Sequence, residues 1–129
     1  MRVAIGLSAA LLALSAGFAF AAEPAMEMDS SAGKIYADNE KMMTLYTFDK
    51  DEAGKSNCYE KCAVNWPPFT AAADAMAEGE WTIVDRTDGT KQWAYEGKPL
   101  YFYIEDKKAG DVTGEGKGGV WHVAKADAM

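Results

Sequence analysis

Tyr46-Thr-Phe48-Asp-Lys-Asp51 and Tyr101-Phe-Tyr103-Ile-Glu-Asp106 carry the same pattern 55 residues apart. Laid on that offset, Trp66 meets Trp121, and Ala53-Gly54 meets Ala109-Gly110 with one residue inserted. Tyr36 comes close to Trp93, and Asn39-Glu40 falls near the turn before Pro99. Self-similarity at a fixed period marks duplicated structural units. A half of about 50 residues is too short to bury its own aromatic side chains. The two halves are therefore expected to share one interior.

The spacing inside the motif has a physical reading. Side chains at i and i+2 of a strand face the same side. Tyr46 with Phe48, and Tyr101 with Tyr103, then form two aromatic ladders, each ring burying roughly 150–250 Å². The aspartate at i+5 falls beyond the strand, where a carboxylate can accept backbone N–H groups of the following loop. A functional alternative reads Asp51 and Asp106 as a carboxylate pair of the kind glycoside chemistry needs. Nothing else in the chain points to a sugar.

The rest of the chain supplies strands and turns. Lys34–Asp38, Met43–Phe48, Trp81–Arg86, Lys91–Tyr95, Leu100–Ile104 and Val120–Ala124 are rich in β-formers or alternate in polarity. Asp88-Gly89 and Glu96-Gly97-Lys98 read as turns between strands, with Pro99 entering the next strand. A short helix is expected from Asn57, as N-cap, to Asn65, because Pro67 drives Trp66 out of the α region. A second helical turn is expected over Ala71–Glu78. The expected fold is mainly β (a β-rich α+β fold): two pseudo-repeated antiparallel units sharing an aromatic core, with one or two short helices.

Arg2, an apolar run to Phe20 and Ala19-Phe20-Ala21 have the form of a secretory signal peptide over residues 1–21. Residues 22–33, small and polar, read as a disordered leader. Residues 34–126 read as one domain, with repeats at about 34–70 and 91–124. Cleavage removes one arginine and takes the formal charge from −7 to −8. An acidic chain without a basic cluster offers no footprint for nucleic acid and no polybasic patch for anionic lipid. No cysteine lies near the cleavage junction, so no stable membrane anchor is expected after cleavage. The expected location is periplasmic or secreted.

Export places Cys58 and Cys62, the only cysteines, in an oxidising compartment where a disulfide is the default. A redox-active dithiol is the alternative. Metal binding is the weaker option, with Cys58, Cys62 and His122 as candidate ligands. No C-x-x-C-H haem motif occurs, and no cofactor is expected. The glycine-rich stretch Ala109–Gly119 lacks a G-x-x-x-x-G-K-[ST] match and leads into a strand, so it reads as a surface loop. G-x-S-x-G is absent as well, and no catalytic residue is assigned.

The two Y-x-[FWY]-x-x-D stretches, with "GKSNCYEKCAVNWPPF", "DGTKQWAYEGKPLYFY" and "GGVWHVAKA", resemble the bacterial secreted repeat family of unknown function, many of whose members look like lipoproteins. The resemblance implies an envelope protein of two repeats and supplies no catalytic residues. The lipid-accepting cysteine of those members is absent here. The expectation is a non-catalytic binding or interaction module for an envelope protein or small ligand, with Trp66, Trp93, Tyr95 and Trp121 as possible binding aromatics. The alternative is an envelope redox or electron-transfer protein using Cys58/Cys62 or a bound cofactor.

Overall fold

The computed structural model describes residues 23–126, so the expected signal peptide lies outside the described residues. Eight short strands occur in chain order: β1 Ala25–Ser30, β2 Gly33–Asp38, β3 Tyr46–Phe48, β4 Thr70–Ala71, β5 Trp81–Asp85, β6 Lys91–Tyr95, β7 Lys98–Pro99 and β8 Trp121–Val123. Among the described residues one short helix, α1, spans Lys61–Asn65, and a 3₁₀ turn spans Lys117–Gly119. All strand pairing is antiparallel.

The duplication is visible in the hydrogen bonds. The hairpin β1–β2 corresponds to the hairpin β5–β6. Leu45 N donates to Tyr36 O at 3.0 Å, and Leu100 N donates to Trp93 O at 3.0 Å. Tyr46 and Tyr101 exchange both backbone bonds, at 2.8 and 3.0 Å, so the two motifs meet back to back. Asp49 N donates to Val120 O and, at the equivalent place, Ile104 N donates to Asn65 O, each bond running between the halves.

Each hairpin is completed by the other half. The segment Ala124–Ala126 lies along β2, with Tyr36 N donating to Ala124 O at 2.9 Å and Ala126 N to Lys34 O at 3.0 Å. Phe69 and β4, from the first half, lie along β6, with Trp93 N donating to Phe69 O at 2.8 Å. Separating the halves would strip a strand from each hairpin. That interlock makes the pair one cooperative unit.

Two apolar clusters fill the interior, and each draws on both halves. One contains Tyr36, Leu45, Phe69, Trp81 and Leu100, with Trp93, Tyr95 and Phe102 packed against it. The other contains Ile35, Tyr46, Cys58, Trp66, Tyr101, Trp121 and Val123, with Phe48 and Tyr103 at its margin. The expected mainly β architecture of two repeats around shared aromatics is what the chain forms.

Four local expectations are corrected. Residues 22–33 are not a disordered leader throughout, because Ala25–Ser30 pairs along its whole length with β2. Exposed Glu27 and Asp29 alternate there with Met26, Met28 and Ser30, which are partly covered. Methionine and serine are not among the residues enriched in strands, so this period-two pattern is inconspicuous in the text. Asn57 does not cap the helix. Its backbone N–H donates to Asp51 Oδ1 and its side chain to Lys50 O, so α1 starts only after Glu60, which sits at φ 57°.

Residues 71–78 do not form a helix: Ala71 ends β4, a turn and irregular backbone follow, and Glu78 bridges Trp81, since so short a run cannot repay helix nucleation without a buried face. Leu100–Ile104 is not a strand: Tyr101 forms only isolated bridges, to Tyr46 and to Pro68, and Ile104 already lies in a turn. Its partner segment begins Pro67-Pro68, which has no N–H to donate. In the other half the equivalent partner is β8, where His122 and Val123 keep their donors and a ladder forms.

Candidate functional site

Tyr46 and Tyr101 are fully buried, and each reaches the aspartate of the opposite motif. Tyr46 OH donates to Asp106 Oδ2 at 2.7 Å, and Tyr101 OH donates to Asp51 Oδ2 at 2.6 Å. The second oxygen of each carboxylate holds its own loop. Asp51 Oδ1 accepts from Asn57 N at 2.7 Å, and Asp106 Oδ1 accepts from Thr113 N at 2.9 Å and Thr113 Oγ1 at 2.5 Å. The aspartates thus tie off their loops and also clasp the partner motif. Burial, reinforced by the neighbouring carboxylate, pushes both tyrosine hydroxyls above their ordinary pKa. Burial raises Asp51 as well, offset in part by the bonds from Tyr101 and Asn57 and by the charge of Arg86.

A stack of four rings runs through the shared interior. Phe48 lies on Trp121 at 4.1 Å between centroids, Trp121 on Trp66 at 3.9 Å, and Trp66 on Tyr103 at 4.1 Å. The two tryptophan planes differ by 1°. Successive rings come alternately from the first and the second half, and the central tryptophan pair occupies positions that the sequence offset matched. Aromatic pairs of this kind add about 0.5–1.5 kcal/mol beyond area burial.

Trp93 and Tyr95 lie away from this stack, half-buried against the other cluster, where Tyr36 OH donates to Tyr95 OH at 3.2 Å. Of the eight aromatics Tyr46, Phe48, Trp66, Trp93, Tyr95, Tyr101, Tyr103 and Trp121, none is exposed. The exposed large apolar side chains among the described residues are Met42, Val64, Met76 and Ile104. A contiguous exposed aromatic surface is therefore not formed.

Cys58 and Cys62 form a disulfide. Cys58 is fully buried, whereas Cys62 is partly exposed at the start of α1. Beside them sits a polar network that sequence reading missed. Arg86, only 5% exposed, donates from Nη1 to Gln92 Oε1 at 2.8 Å and Ser56 Oγ at 3.1 Å, and from Nη2 to the carbonyl of Cys58 at 2.8 Å. Its face lies 4.3 Å from the centre of the Tyr59 ring. Its Nε has no partner among the described residues. Part of the signal was present: Arg86, just past β5, stands two residues beyond buried Val84, and in β6 Gln92 stands two residues before buried Ala94.

His122 pairs with Asp49 at 2.9 Å on the exposed side of β8. The cysteines are held as a disulfide, and no group of three His, Cys, Asp or Glu side chains able to hold a metal occurs among the described residues. Several shallow depressions mark the surface. One, of about 420 Å³, has walls of Met43, Thr44, Pro67, Phe102 and Tyr103, with Lys41 and Lys107 at its rim and Asp106 beneath.

Interlocked hairpins, crossed Tyr–Asp clasps and a paired-tryptophan stack define a two-repeat β protein whose motif residues hold the repeats together. The chain belongs to the family described as a secreted repeat of unknown function, whose model matches residues 28–70 and 82–125. Those two segments begin within β1 and β5, as the paired hairpins require. No curated protein and no solved structure matches the chain.

Proposed function

We propose that this protein is a non-catalytic binding module of the periplasm, taking a small amphiphilic ligand in the groove between Lys41–Thr44 and Phe102–Lys107. One observation carries the reading. The groove walls are mostly apolar, and two lysines stand at the rim of an otherwise acidic protein. Concave apolar sites with a few placed polar groups are the usual form of small-ligand sites. The lysines select an anionic head group, and Met43 and Phe102 accept an apolar tail. The motif carboxylates are engaged internally, which supports binding rather than acid–base chemistry.

Anilinonaphthalene sulfonate, an anionic aromatic probe, tests this. Folded protein should enhance its fluorescence, and amide shifts on titration should centre on Met43, Phe102 and Lys107. A Lys41→Glu, Lys107→Glu double variant should weaken binding by roughly tenfold, equivalent to about 1.4 kcal/mol. Shifts that map elsewhere, or an unchanged affinity in the variant, would reject the groove.

A second reading, an envelope redox protein acting through Cys58 and Cys62, does not involve the groove. It is favoured by the partial exposure of Cys62.

A further inference from the structure

The geometry points to a thiol-exchange site in which Cys62 is the attacked sulfur, Cys58 the leaving sulfur, and Arg86 the residue that stabilises the departing thiolate. The inference rests on the redox reading and gives each residue of that site a role.

The two sulfurs are not equivalent. Cys62 is partly open to solvent on α1, and Cys58 is fully enclosed by the cluster of Tyr101, Trp66 and Trp121. An incoming thiolate therefore has access to Cys62. A new bond forms between that thiolate and Cys62 Sγ, the Cys58–Cys62 bond breaks, and its electron pair leaves on Cys58 as a thiolate. A second thiol of the donor then attacks its own sulfur in the mixed disulfide, and Cys62 departs as a thiolate. Two thiols are oxidised to one disulfide, and the protein disulfide is reduced to two thiols.

A thiolate in apolar surroundings is normally disfavoured, and a neighbouring arginine reverses that preference. Arg86 is placed to do so. It is buried beside Cys58 and bonds that residue's carbonyl, and its Nε hydrogen is unspent. Its other partners, Gln92, Ser56 and the Tyr59 face, are all neutral. The nearest acid in the network, Asp51, reaches it only through the hydroxyls of Tyr101 and Ser56. Among the described residues no carboxylate is in contact with the guanidinium, and a thiolate on Cys58 would supply the missing anion. A lower leaving-group pKa speeds exchange and favours the reduced form.

The folded, oxidised protein should be treated with reduced glutathione, quenched with iodoacetamide and digested with trypsin. Lys61 lies between the cysteines, so cleavage separates them into different peptides. Glutathione is expected on the Cys62 peptide and the alkyl group on the Cys58 peptide. In glutathione buffers, Arg86→Gln should need a reduced-to-oxidised ratio raised roughly tenfold for half reduction, and Arg86→Lys should restore most of the wild-type behaviour. If Arg86→Gln does not fold, the wild-type peptide map and Arg86→Lys decide. Glutathione on Cys58, or a bridge indifferent to Arg86→Gln, overturns the assignment and leaves a redox role standing. A bridge that glutathione cannot open in the folded protein overturns both.

Discussion

The two halves share a backbone but differ in what they place at equivalent positions. Where the first half has Cys58, the second has Gly114, each one residue beyond the loop amide that its motif aspartate accepts. Where the second half has buried Gln92, the first has buried Ile35. The polar network of Arg86, Gln92, Ser56 and the Cys58 carbonyl therefore has an apolar counterpart around Ile35, Met28 and Val123. Duplication conserved the groups that join the halves: the Tyr–Asp clasp, the tryptophan pair and the exchanged strands. It left the surroundings of each clasp free to diverge. Chemistry beyond scaffolding is therefore to be sought where the halves differ.

That comparison can be broken most severely at the tryptophan pair. Trp66→Ala and Trp121→Ala should each lower stability by about 3–5 kcal/mol in urea unfolding, with similar values because the stack is shared. A large difference between them would mean that the halves are not equivalent at their junction. The clasp sharpens the comparison. Tyr46→Phe should cost about 2–3 kcal/mol and Tyr101→Phe about 1–2 kcal/mol by thermal unfolding, because each leaves a carboxylate short of a donor and Asp106 is more deeply buried than Asp51. Asp106→Ala should likewise lower the melting temperature more than Asp51→Ala.

Gly114 tests why the second half has no side chain at its Cys58 position. A Cβ there would stand 2.7 Å from Trp66 Cη2 and 2.9 Å from Tyr103 Cδ2. Gly114→Ala should destabilise by about 1–3 kcal/mol through overpacking of the ring stack, visible in near-ultraviolet circular dichroism.

Titration followed by NMR separates the acids further. The raised pKa of Asp51 means that the folded state holds this proton more tightly than the unfolded chain does, so its contribution to stability grows as pH falls through the carboxylate range. Asp111 behaves oppositely. The bonds from the Lys107 and Lys108 amides hold its pKa down, so its contribution is present above the ordinary carboxylate range and lost as pH falls. Asp51 should titrate above Asp111; the reverse order would place the burial difference elsewhere. The smallest effect is expected at the exposed Asp49–His122 pair, where Asp49→Asn should change stability by less than about 1 kcal/mol.

The motif, its two copies and the need for a joint interior were legible in the text, because aromatic spacing and period survive without coordinates. Both hairpin turns of the second half were legible for the same reason: Asp88-Gly89 and Glu96-Gly97 set backbone angles locally. The first strand was missed because its inward positions are Met26, Met28 and Ser30. The clasp was half legible. Loop bonds from the aspartates are local, whereas the hydroxyl donors arrive from some 50 and 60 residues away along the chain. Of the Arg86 network only the inward positions of Arg86 and Gln92 were legible; its bonds to Ser56 and Cys58, and the groove, were not, since each joins segments far apart along the chain.

By itself the sequence determined that this chain contains two copies of one aromatic–acid unit and that neither copy could close its own interior, since side-chain period and buried area are properties of composition and spacing. Only the tertiary structure decided that each tyrosine reaches the other copy's aspartate, that the last segment of each copy completes the other's hairpin, and that a buried guanidinium bonds the carbonyl of Cys58. Those contacts depend on how two similar halves are placed against each other, and sequence separation carries no record of that placement.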